Sequence, residues 1–196
     1  LMSTVGSPTA AIAPQRQASV VRSAGRPAIV TVTLPDGNGL AVGWSKTATP
    51  TSAADFCHYA ISFGSKLPDY PKLGDSSDFV IYGYNRFTDF AQTYDGSGFA
   101  MLNKPPAGAT CLPQSSFSVT GAGTLHNADG SLAATPVPSN LVDDSTGTGY
   151  VVANADLTTT ASADFVSVYA VTTNGVDASG IPVPAVSGPT NITVPG

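Results

Sequence analysis

The chain has 196 residues, enough for one substantial core or two small ones, and 11% of them are charged, against roughly 25% in an average soluble domain. Its acids are thirteen Asp and no Glu, its bases four Lys and four Arg, and the net charge is −5. An acidic body argues against nucleic acid, whose phosphates need a basic face, and no apolar run approaches the roughly 18–20 residues of a membrane-spanning helix.

Abundant Thr, Ser, Val and Gly disfavour helix, and 20 Gly with 16 Pro punctuate the chain as densely as many short strands require. The composition predicts an all-β protein. Residues 1–26 carry Arg16, Arg22 and Arg26 with no acid and show no convincing period, so they read as an extended N-terminal arm. Ordering such an arm costs roughly 1–2 kcal/mol per residue in backbone entropy, which contacts must offset. Its own domain, a neighbouring copy or a different partner are the candidates, and the three arginines are the candidate docking residues. The chain opens on Leu1-Met2, which fits a trimmed or mature form.

Residues 27–64 read as three strands. Ile29, Val30, Val32 and Leu34, then Leu40, Val42 and Trp44, alternate around a turn at Asp36-Gly37-Asn38-Gly39. From Phe56 to Phe63 the alternation puts Cys57, Tyr59, Ile61 and Phe63 on one face and His58, Ala60 and Ser62 on the other.

A long middle follows, about 65–155, and its first half holds seven of the sixteen aromatics, between Phe79 and Phe99. Asp78 to Tyr84 reads as a strand with Tyr82 and Tyr84 on one face, opposite Phe79 and Ile81. Asp95-Gly96-Ser97-Gly98 reads as a turn leading into Phe99-Ala100-Met101-Leu102. Phe117 to Thr120 and Ser131 to Ala133 flank a hairpin turn at Asn127-Ala128-Asp129-Gly130, and residues 135–147 read as a Pro-, Ser- and Asp-rich loop. Tyrosines here could form a second core, fill pockets on a protein partner or stack on sugar rings. Tyr82, Tyr84 and Tyr94 are therefore the candidate partner or glycan contacts.

Candidate chemistry is sparse. Cys57 and Cys111 are compatible with one disulfide closing a long loop, or with two unrelated buried thiols; a disulfide implies an oxidising setting, secreted, periplasmic or at the cell surface. His58 and His126 are the only histidines, no G-x-S-x-G elbow is present, and His126 reads as a turn residue. Thirteen Asp make a glycosidase-like carboxylate pair possible anywhere, and most sit at Gly- or Ser-rich turns where Asp stabilises turn geometry. Asp75-Ser76-Ser77-Asp78 and Asn127-Ala128-Asp129-Gly130-Ser131 cluster oxygen ligands without the frame and terminal Glu of an EF-hand, so the turn reading is preferred to calcium. No metal site and no cofactor is expected.

The outer segments resemble a fibronectin type III domain. The residues that carry the resemblance are Leu40-Ala41-Val42-Gly43-Trp44-Ser45, Tyr59 in His58-Tyr59-Ala60-Ile61, Val166-Ser167-Val168-Tyr169-Ala170-Val171 with Asn174-Gly175, and Ser187-Gly188-Pro189 before Asn191-Ile192-Thr193-Val194. The match covers residues 27–64 and 157–195. Position 164 holds Asp where that family usually has the tyrosine of its corner motif. The resemblance implies an immunoglobulin-like β-sandwich over 27–196, opened and closed by these segments. The middle would then be an insertion or an embellished sheet edge at about 65–155, stapled to the third strand by Cys57–Cys111, and the rival architecture is a larger jelly-roll or a two-lobed sandwich.

The expected function is a non-catalytic structural or interaction protein, a subunit of a surface layer, filament, virion or envelope complex. It would dock on a protein partner, the same chain or another, through its arm and aromatic middle. A carbohydrate-binding module is the alternative and a hydrolase the third reading, since sandwiches host all three.

Overall fold

In the computed structural model the described residues are 19–23, 26–33, 39–47, 49–88, 93–104, 111–112, 117–120, 124–141, 147–155 and 164–194. Twelve strands and one short 3-10 turn make up the described secondary structure. β1 (Ser19–Ser23), β2 (Arg26–Thr33), β3 (Gly39–Ser45) and β4 (Phe56–Ser62) form the first sheet. β5 (Leu67–Asp75), β6 (Phe79–Phe87), β7 (Tyr94–Asn103) and β8 (Phe117–Thr120) form the second. β9 (Ala133–Pro138), β10 (Gly149–Ala155), β11 (Phe165–Val176) and β12 (Pro182–Thr193) form the third. All pairings are antiparallel between chain neighbours, so the all-β fold is three successive four-stranded meanders.

The second sheet lies between the other two, because two of its strands are apolar on both faces. Phe79 and Ile81 of β6, with Phe99 and Met101 of β7, join Val151, Ala153, Tyr169 and Val171 of the third sheet in one buried cluster. On the opposite face Tyr82 and Tyr84, with Ala100 and Leu102, meet Val42 and Ile61 of the first sheet, while Val80 meets Trp44 and Cys57. Each fully buried large side chain contributes roughly 1.5–3 kcal/mol of transfer free energy, so the central strands anchor both interfaces.

The third sheet approaches the second closely at β9. A Cβ on Gly83 would lie 1.9 Å from the Pro136 carbonyl oxygen, and one on Gly74 would lie 2.1 Å from that of Ser139. Only glycine lets the two backbones approach this far. Polar ties complete the interface. Asn85 donates to Thr135 Oγ1 at 3.2 Å and accepts from Thr135 N at 2.9 Å. Asn103 donates to the Pro182 carbonyl at 2.6 Å, and Thr173 donates to the Asp78 carboxylate.

The all-β sandwich expected from the sequence is built of three antiparallel sheets: β3 and β4 lie in the first, β11 and β12 in the third, and the second packs between them. The middle is accordingly the central layer plus β9 and β10. Three expectations need correcting. Asp95 to Gly98 is not a turn but lies inside β7, where Gly96 at φ 96° adjoins a register shift between Asn85 and Phe87, as in a β-bulge. Residues 135–138 belong to β9. The arm's last residues are sheet as well, since β1 pairs with β2 from Ser19↔Val30 to Ser23↔Arg26.

Candidate functional site

The residues singled out from sequence do not converge. Arg22 falls in β1 and Arg26 opens β2, while Arg16 lies outside the described residues. Cys57 is bonded to Cys111 with their Cα atoms 5.4 Å apart, tying β4 to the segment between β7 and β8. Tyr82 and Tyr84 have exposures of 0% and 1%, shut in by the first sheet. They are core, not contact surface. Tyr94 is half-buried, its hydroxyl donating to the Ala133 carbonyl at 3.2 Å and its ring set edge-on to Phe87.

The remaining candidate chemistry is engaged in holding the fold. Asp75 is buried, paired with Lys104 Nζ at 2.8 Å and accepting from Leu141 N at 2.7 Å. Lys104 also donates to the Ser76 carbonyl at 2.5 Å. A buried ion pair needs such extra hydrogen bonds to offset desolvation. Asp129 caps its own turn by accepting from Ser131 N at 3.0 Å and Ser131 Oγ at 2.7 Å, which holds its carboxyl below the ordinary range. His58 is exposed on edge strand β4, and exposed His126 precedes the turn, its carbonyl taken by Tyr169 Oη at 2.6 Å. No group of three or more His, Cys, Asp or Glu side chains clusters among the described residues.

The outer face of the third sheet is different in kind. Strand alternation turns Val151, Ala153, Tyr169 and Val171 inward, so Tyr150, Val152, Val166 and Val168 turn outward. The register joins them across strands: Val137 stands opposite Val152, Val152 opposite Val168, and Val166 opposite Ile192. Exposures of 42% for Val137, 44% for Tyr150, 36% for Val152 and 52% for Ile192 describe an open, largely apolar face, interrupted by exposed Asn154 opposite Val166 and Thr190 opposite Val168. None of the four strands contains a single Asp, Lys or Arg. Solvated sheet faces normally carry polar side chains, and contiguous apolar patches with a polar rim mark interaction sites.

An acid stands at each end of β11. Asp164 precedes β11 and Asp177 lies in the β11–β12 turn, both exposed. No histidine or cysteine, and none of the clustered tyrosines, marks this face in the sequence. Its signal is an absence: residues 105–196 hold six Asp and no base, and the three among the described residues, Asp129, Asp164 and Asp177, fall between strands or in turns. No family model, curated protein or solved structure matches this chain.

Proposed function

We propose that this chain is a non-catalytic structural or interaction protein, a subunit of a larger assembly in an extracytoplasmic setting such as a surface layer, filament, virion or envelope complex. The observation that carries the reading is the open, charge-free and largely apolar face of the third sheet, a surface that becomes more stable when covered. The Cys57–Cys111 bond supports an oxidising compartment, where disulfides persist. The named Asp and His side chains spend their polar atoms on turns and ties, or stand apart on different sheets, which supports a scaffold over a hydrolase. A glycan reading loses its intended row of tyrosines, because Tyr82 and Tyr84 are buried. Fibronectin type III kinship rests on the short strand motifs alone.

The test is sedimentation velocity of the purified chain, alone and mixed with envelope and secreted material from its source, with thiol alkylation of the same material. Mass above the monomer in either sample, with both cysteines protected from alkylation, is expected. A chain that stays monomeric in both samples sinks the assembly reading. Free cysteines in the source material sink the compartment.

A further inference from the structure

We propose that the apolar outer face of the third sheet receives the N-terminal segment, residues 1–18, of a second copy of the same chain, so that copies associate head to tail. The proposal rests on the assembly reading above and names its partner, its donor segment and its acceptor surface.

Residues 1–62, which include the first sheet, carry four bases and two Asp. Residues 63–104 carry four bases and five Asp, and residues 105–196 carry six Asp and no base. Among the described residues the first sheet and its connections hold Arg22, Arg26 and Lys46 against Asp55, whereas the third sheet and its connections hold Asp129, Asp164 and Asp177 with no base, so the two outer layers are opposite in sign. Two identical faces of the third sheet would bring acid against acid, which disfavours a two-fold contact through this surface. The positive end of one molecule against the negative end of the next satisfies both, and such a heterologous contact repeats.

The chemistry of the segment fits the face. Residues 1–18 hold Leu1, Met2, Val5 and Ile12 among small residues, no acid, and Arg16 near the point where β1 begins. The apolar residues suit a face without charge, and the arginine suits exposed Asp164 at the end of β11 beside Val166. Reach is sufficient, since eighteen extended residues span up to about 60 Å, whereas four strands are only about 15 Å wide.

The layer order favours a second copy over the chain's own segment. β1 lies in the first sheet, so donor and acceptor belong to opposite outer layers, and self-docking must wrap around the central sheet. Addition of the segment as an extra strand on β12 is disfavoured, because Pro182, Pro184 and Pro189 break the run of backbone donors on that edge.

The test is complementation between two variants followed by light-scattering mass. Val152→Arg places a cation at the centre of the acceptor face, where it is solvated in the monomer but opposes both apolar contact and Arg16. Deletion of residues 1–18 removes the donor and leaves every described strand. Self-association weakened roughly tenfold or more in each variant, with a one-to-one heterodimer on mixing them, is the expected result. Val152→Lys should reproduce Val152→Arg, and retained near-ultraviolet dichroism guards against misfolding. Self-association that survives either change overturns the head-to-tail contact while leaving the assembly reading intact. A full-length chain that is monomeric by itself also overturns it, and a partner of different sequence then has to carry assembly. Weakening in both variants with no heterodimer on mixing overturns the pairing of this donor with this face.

Discussion

Three buried polar atoms set the energetics of the layer between the first and second sheets. Trp44 Nε1, Tyr82 Oη and Tyr84 Oη have no hydrogen-bond partner among the described residues. Such groups cost roughly 1–3 kcal/mol each in lost hydration. Tyr169 is the internal contrast, buried on the other face of the central sheet with its hydroxyl donating to the His126 carbonyl at 2.6 Å. Removing an unpartnered hydroxyl removes a cost, while removing a bonded one removes a gain. Tyr82→Phe and Tyr84→Phe are therefore expected to leave stability unchanged or raise it by up to about 1 kcal/mol. Tyr169→Phe is expected to lower it by about 1 kcal/mol, all three read from urea denaturation. A loss for Tyr84→Phe as large as that for Tyr169→Phe would show that the Tyr84 hydroxyl is bonded after all. Burial also pushes Tyr84 up to about 12 and Tyr82 and Tyr169 upward. A raised acid favours the neutral form in the fold, so this stabilisation is complete below the ordinary tyrosine range near pH 10 and is lost as pH rises through the folded value. Tyrosinate absorbance from these three residues is accordingly expected at about pH 11 in urea but not in native protein.

The strand periodicity of the sequence specified which side chains share a face but not what covers each face. In β4 the alternation was legible: Cys57 and Ile61 are buried, and His58, Ala60 and Ser62 are exposed. In β6 the split of Tyr82 and Tyr84 from Phe79 and Ile81 was legible too, yet both faces are buried. The signal for that was present in Phe79-Val80-Ile81-Tyr82 and Phe99-Ala100-Met101-Leu102, unbroken apolar runs of the kind that strands covered on both faces display. Proline hid two other strands. β5 contains Pro68 and Pro71 and β9 contains Pro136 and Pro138; β12, legible from its Ile192-Thr193 end, contains three prolines as well, and all three are edge strands, the position where a missing N–H is tolerated. The close crossing of β9 over β5 and β6 was illegible for another reason, since a glycine needed for tertiary approach looks the same as a glycine needed for a turn. Gly83→Ala tests that crossing. Its methyl would meet the Pro136 carbonyl oxygen at 1.9 Å and the carbonyl carbon at 2.8 Å, backbone atoms that cannot rotate aside. Displacement of β9 should cost about 1–3 kcal/mol, whereas Gly130→Ala, with open space around its Cβ, should cost only the strain of its positive φ. Equal and small losses at both positions would mean that β9 does not ride on Gly83.

Across the whole molecule the two interfaces are secured differently, and this should divide its unfolding. The second and third sheets are tied by Asn85–Thr135, Asn103–Pro182 and Thr173–Asp78 hydrogen bonds as well as by the larger apolar cluster. The first and second sheets share smaller clusters, the unpartnered Trp44, Tyr82 and Tyr84 groups, and the covalent tie from Cys57 to Cys111. That bond closes a sequence separation of 54 residues, a loop whose closure restricts the unfolded chain by about 4 kcal/mol in the entropy model. Removing it with Cys57→Ala/Cys111→Ala should thus weaken the first-sheet interface more than the other, because only that interface loses a tie. The chain supplies a probe for each side. Trp44, the only tryptophan, packs with Cys57 and Val80 between the first two sheets, and Tyr169 sits edge-on to Phe99 between the second and third. The expected outcome is a Trp44 fluorescence transition at lower urea than the loss of hydrogen-exchange protection at the Tyr169 and Val171 amides in the double variant, with the two coincident in the native chain. Two transitions that fall together by the same amount would mean instead that the three layers open as one cooperative unit, with the disulfide stabilising the stack as a whole.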